Sequence, residues 1–153
     1  MDVRVPADSE RAAVADRLLR PVYREAEALD PAFNDLEESV VAAEDCSRWL
    51  DDADRTMFVA YDPDPVGVVS GGVTSSPALY SRGKNCYVDG LYVVPERRRE
   101  GVAGRLLDRM KSWGRERDCE YATLSVHVDN HAAMAFYEDH GFEPKFRDLR
   151  QRL

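Results

Sequence analysis

The segment with the clearest chemical potential is YVDGLYVVPERRREGVAGRLL, residues 87–107. An apolar run enters a turn that carries Arg97, Arg98 and Arg99. Gly101 then admits the chain to a helix starting near Val102, with the small residues Ala103 and Gly104 in its first turn. A helix N-terminus offers unpaired N–H groups and the positive end of its dipole. Small residues let a phosphate approach the backbone, and arginines add charge. Such a turn reads as a pyrophosphate cradle. It has neither the GK[ST] of a P-loop nor the glycine spacing of a dinucleotide GxGxxG turn. The plainer alternative is a glycine that eases a tight turn beside a solvated basic surface.

Two residues are candidate bases. Asp89 lies in an apolar strand, where a carboxylate is costly unless partnered. Its spacing puts it on one face with Leu91. His127 sits on the next strand and titrates nearer neutrality. A salt bridge would explain Asp89 equally well, a half-buried strand position would explain His127, and a water relay remains open. His131 and His140 read as surface helix residues. Cys46, Cys86 and Cys119 are odd in number and form no CxxC or Cys/His cluster, so neither a disulfide framework nor a metal site is expected.

These residues need a strand–turn–helix frame. DVRVPA at the start alternates and reads as a strand. Residues 10–19 read as a helix that Pro21 kinks or ends, and residues 37–50 as a second helix with Val40, Val41 and Trp49 toward the core. TMFVAYD and VGVVSGGV form a hairpin across DPDP. CYVDGLYVV is a strand, residues 102–113 an amphipathic helix, and YATLSVHV a strand. Asp129-Asn130 caps a short helix that runs to about His140 and stops at Gly141. FEPKFRDLRQRL reads as one further strand. The order β-α-α-β-β-β-α-β-α-β implies an α/β mixed sheet with helices on both faces.

The 153 residues fit a single domain spanning 1–153. The net charge of −8 argues against nucleic acid and anionic membranes as partners. Neither a transmembrane run nor a signal pattern is seen, so a cytoplasmic address is expected. With 18 Arg against 3 Lys, and 17 Asp against 12 Glu, the composition is halophile-like, although a GC-rich genome gives the same arginine bias.

The run Arg98-Arg99-Glu100-Gly101-Val102-Ala103 resembles the R/Q-x-x-G-x-G/A acyl-CoA signature of the GNAT superfamily of N-acetyltransferases. The stretch from Asn130 to Phe142, NHAAMAFYEDHGF, is similar to that family's N-x-x-A-x-x-F-Y-x-x-x-G-F. The spacing of the two blocks and the element order agree with it. The resemblance implies a central, mostly antiparallel mixed sheet of six to seven strands flanked by four helices, with a V-shaped splay between the fourth and fifth strands.

It also implies acetyl-CoA as acyl donor, without a metal. The diphosphate would rest on the turn formed by Arg98, Arg99, Glu100, Gly101, Val102, Ala103 and Gly104. The pantetheine arm would lie along Leu91, Tyr92 and Val93 like an added strand. Asn130 would touch that arm or cap its helix. Tyr137 would contact the CoA sulfur and protonate the leaving thiolate, unless it is only a core tyrosine. Asp89 is the catalytic partner expected to receive the amine's proton, with His127 as its rival.

The expected acceptor is a primary amine on a small molecule. Alternatives are a protein N-terminus or lysine, or a silent CoA sensor. Selectivity is expected from residues 23–36 and 74–85, where Tyr23, Phe33, Leu79 and Tyr80 line a pocket or simply pack. A homodimer is an allowed assembly.

Overall fold

The computed structural model describes residues 1–153 as a mixed α/β fold around one five-stranded sheet. The strands are β1 (Asp2–Arg4), β2 (Arg55–Tyr61), β3 (Pro65–Thr74), β4 (Lys84–Val93) and β5 (Cys119–Thr123), in that spatial order. β1 to β4 pair antiparallel and β5 runs parallel to β4. The parallel pair follows from the crossover helix α5 (Val102–Glu116) that joins them. Its stripe of Val102, Leu106, Leu107, Met110 and Trp113 is buried on the sheet. A Cβ on Gly67 of β3 would lie 2.9 Å from Leu106, so α5 covers that face closely.

The opposite face carries the N-terminal helical segments. A helical run passes from α1 (Arg11–Val14) through a π-turn at Ala15–Leu19 into α2 (Arg20–Leu29). The expected break at Pro21 does not occur. Proline cannot donate to the carbonyl one turn back, and the wider turn just before it absorbs the mismatch.

The second expected helix, 37–50, is instead two pieces, α3 (Glu38–Ala42) and α4 (Ser47–Leu50). Between them Glu44 Oε2 accepts from Cys46 N, Asp45 Oδ1 accepts from Ser47 N, and Cys46 turns left-handed at φ 67°. Acidic side chains that capture nearby amides compete with the helix ladder. Val41 and Trp49 are buried as expected, but Val40 is 69% exposed.

The sheet has five strands where six to seven were expected. β5 stops at Thr123, so SVHV is not strand. Residues 143–153 form neither helix nor strand, and Phe146 and Leu149 are exposed. A strand persists only where a neighbouring edge accepts its ladder, and Pro144 removes one donor. The tail is tied down only through Arg150, which pairs with Asp30 and lies 3.4 Å over the Phe33 ring. The last helix, α6 (His131–Asp139), ends at left-handed Gly141 as expected.

Candidate active site

β4 leads through a 3-10 turn (Pro95–Arg97) into α5. The Arg97 and Arg98 amides donate to Val94 and Pro95, and the Arg105 amide donates to Gly101. Between them the six amides of Arg99, Glu100, Gly101, Val102, Ala103 and Gly104 donate to no protein acceptor. Arg99 (φ 63°) and Gly101 (φ 83°) are both left-handed. Mixed hands in successive residues curl the N–H groups into an anion-sized concavity.

Gly101 is required by its backbone angle rather than for room, since a Cβ there meets nothing within 4 Å. The reverse holds at Gly104, where a Cβ would lie 3.1 Å from His140 Nε2. His140 is therefore not a plain surface residue. It packs α6 against the start of α5, and its carbonyl accepts from Lys111.

The three arginines differ. Arg97 is held by Asp62 at 2.8 Å and Glu100 at 3.2 Å. Arg98 donates to the Val93 carbonyl and to Glu25 of α2, both at 2.9 Å. Arg98 thus staples the turn to β4 and α2. Arg99 has no ion pair and is the turn's free cation.

β4 pairs with β5 only from Lys84 to Tyr87 and with β3 along most of its length. Its second half, including Leu91, Tyr92 and Val93, has an open edge beside the amide turn. This is the expected splay between the fourth and fifth strands.

Asp89 marks a second irregularity. Ser70 pairs with Gly90 and Gly71 with Val88, which leaves Asp89 as the extra residue of a β-bulge. Bulges re-aim side chains. Beyond this one Tyr92 pairs with Val68 and Leu91 with Val69, so strict alternation is broken and the shared face of Asp89 and Leu91 does not follow from spacing.

Asp89 projects into a cavity of about 130 Å³ formed mainly by Leu19, Val22, Tyr23, Trp49, Val68 and Leu91. Trp49 Nε1 donates to both its oxygens at 3.0 and 3.1 Å, and Ser70 Oγ donates at 2.5 Å. These donors fix the carboxylate while leaving it solvent-accessible. At the cavity wall the Tyr23 hydroxyl donates to Glu44, and burial with that hydrogen bond raises the phenol well above its ordinary range.

Tyr137 on α6 makes edge contacts with Phe136 and Phe142, at 5.3 and 5.7 Å between ring centres. Burial pushes its phenol up to about 12, with no hydrogen-bond partner contributing. It therefore holds its proton through the neutral range. Asn130 caps α6, accepting from Ala133 N at 3.2 Å.

His127 is engaged elsewhere. Its Nδ1 accepts from the Asp129 amide at 3.1 Å, which places the ring proton on Nε2, 3.3 Å from Asp30. It does not line the Asp89 cavity. Of the expected selectivity segments, Tyr23 and Ala26 do; Phe33, Leu79 and Tyr80 are exposed.

The model of the Acetyltransferase (GNAT) family matches residues 17–142. The chain belongs to the GNAT acetyltransferase family. An uncharacterized N-acetyltransferase of Archaeoglobus fulgidus is 32% identical over 92 residues, which span 59% of this chain and 62% of that protein. The uncharacterized N-acetyltransferase YhfO of Bacillus subtilis is 28% identical over 147 residues, 94% of this chain and 90% of its own.

Among solved structures, a tetramutant of BH1408 from Bacillus halodurans superposes with a TM-score of 0.81 at 20% identity, covering all of both chains. The aminoglycoside N-acetyltransferase AAC(6')-Iy in complex with CoA superposes at 0.75 and 18% identity, covering 99% of this chain and 93% of that one. These likenesses establish a GNAT fold.

Sequence reasoning missed Trp49 and Ser70 as supports of Asp89, and Arg48 on the cavity wall. Trp49 read as core, which it also is, being 2% exposed. Only an indole N–H that needs a buried partner signalled a second duty.

Proposed function

We propose that this GNAT protein transfers the acetyl group of acetyl-CoA directly to a primary amine of a small acceptor. The single observation that carries the reading is the run of six unpartnered amides, 99–104, at the head of α5, continuous with the open edge of β4. Unpaired N–H groups at a helix start favour a diphosphate. An open strand edge suits the amide-bearing pantetheine arm. Arg99 adds its charge there, whereas Arg98, held by Glu25, acts by shaping the turn.

The acceptor amine then sits in the Asp89 cavity. Its ammonium gives a proton to Asp89, directly or through water, and the freed lone pair attacks the thioester carbon. The carbon–sulfur bond breaks, Tyr137 protonates the departing thiolate, and the second proton lost by the acylated nitrogen restores the Tyr137 phenol. The products are the amide and CoA thiol, and the proton on Asp89 returns to solvent. No metal is needed for these steps.

Thermal unfolding with acetyl-CoA, CoA and ATP tests the cofactor, because a ligand bound only to the native state raises the midpoint. Protection by both CoA species and not by ATP is expected. Equal protection by ATP, or none by CoA, would overturn the assignment. Thiol release with a panel of amines tests the transfer.

A further inference from the structure

The Asp89 cavity has one feature that general amine acetylation does not use. Of the residues that line it, Arg48 is the single cation. Its guanidinium lies 4.1 Å over the Trp49 ring, the same indole whose N–H holds Asp89. Arg48 is exposed and makes no ion pair or hydrogen bond, in a chain where acidic residues outnumber basic ones. The Tyr23 hydroxyl stands within the fields of both Arg48 and Asp89. An anchored carboxylate and an uncommitted guanidinium therefore face one small cavity from neighbouring walls.

The space between them selects further. The remaining lining is mostly apolar, with Leu19, Val22, Ala26 and Val68 contributing. About 130 Å³ approaches the roughly 150 Å³ that holds a benzene-sized guest. A large polycation would meet Arg48 as a like charge.

We propose that the acceptor is a small amino acid with a compact apolar side chain, its ammonium taken by Asp89 and its carboxylate by Arg48. Guanidinium and carboxylate form the bidentate pair that fixes orientation as well as affinity. With the carboxylate held at Arg48, the amine is directed to Asp89 and the open edge of β4. This rests on the acetyl-transfer reading above, and the reaction is the same one, giving an N-acetyl amino acid and free CoA.

The test uses the full chain, acetyl-CoA, and matched acceptors: L-valine, L-leucine, their decarboxylated amines isobutylamine and isopentylamine, and an aminoglycoside. The expected result is a kcat/KM for the amino acids at least tenfold above their decarboxylated partners, with the aminoglycoside poorest. R48Q should collapse that ratio toward one through KM, and R48K should restore part of it. Acetyl-CoA protection against unfolding reports that each variant is folded. Equal or better use of the decarboxylated amines, or a ratio unchanged in R48Q, would overturn the proposal while leaving acetyl transfer to amines intact. Thiol release with none of the amines, despite acetyl-CoA protection, would overturn both.

Discussion

The amide turn at the head of α5 and the Asp89 cavity lie at opposite ends of the open half of β4, and they are built from different materials. The turn is main chain: six N–H groups aimed by two left-handed residues and a helix start. The cavity is side chain: a bulged carboxylate held by Trp49 and Ser70, forty and nineteen residues away. A main-chain site tolerates exchange of most of its side chains. A side-chain site depends on each one.

Substitutions should separate the two. The largest effect is expected at Asp89, where D89N keeps the shape but removes the base. Turnover should fall by roughly 10²–10⁴-fold, with acetyl-CoA protection against unfolding unchanged. A loss below tenfold would leave water alone as the base.

Y137F comes next, at roughly 10²-fold in turnover, because a phenol that acts on the leaving thiolate acts mainly in the transition state. Its ring contacts survive, so stability should barely move. Residual activity should improve as pH rises, since a thiolate leaves unaided more readily there. Wild-type turnover at every accessible pH would return Tyr137 to a packing role.

G101V tests the main-chain half. The left-handed angle costs an L side chain about 1–2 kcal/mol, and relief of that strain rotates the amides. Acetyl-CoA binding should weaken by about tenfold or more while the folded content, read by circular dichroism, persists. Undiminished affinity in the folded variant would remove the turn from the cofactor site.

The smallest effect is expected at Arg98, where R98A should change cofactor affinity by roughly threefold or less. Its partly exposed pair with Glu25 is the kind of contact worth about 0–1 kcal/mol. A tenfold loss would mean that Arg98 leaves Glu25 to touch the diphosphate.

Stability offers a separate check on the buried groups around the sheet. Burial pushes the Cys46 and Cys86 thiols up to about 11, and the Tyr61 and Tyr137 phenols up to about 12. Each folded-state value is raised, so the native state holds those protons longer than the unfolded chain does. Their contribution is complete below the ordinary thiol and phenol values and is lost as pH rises toward 11–12. The unfolding midpoint should therefore fall through that window, and the fall should be shallower in Y137F.

The contrast in materials also explains what could be read from the sequence. The turn was legible because its determinants are contiguous: an apolar strand, Gly101 and a helical stripe. Asn130 was legible as a cap for the same reason. The cavity was not, because α3 and α4 separate at an acidic turn that periodicity does not register, and that break carries Trp49 toward Asp89. The bulge at Asp89 was equally invisible, since it arises from pairing with β3 rather than from any residue in β4 alone. The tail reads as a strand only from its place in the element order; Phe142, Phe146, Leu149 and Leu153 do not alternate, and no strand edge receives it. The arginine run suggested one cationic patch, yet Asp62, Glu25 and Glu100, distant or weakly patterned in sequence, divide it.

The central claim, that main-chain amides hold the cofactor, is tested most directly by amide hydrogen exchange with and without CoA. The six amides 99–104 should exchange fast in the free protein, because nothing in the fold protects them. CoA should slow them, together with the open edge of β4 at Leu91–Val93, while the exposed tail 143–153 stays unchanged. Saturation with CoA that leaves the exchange of 99–104 unaltered would contradict the account.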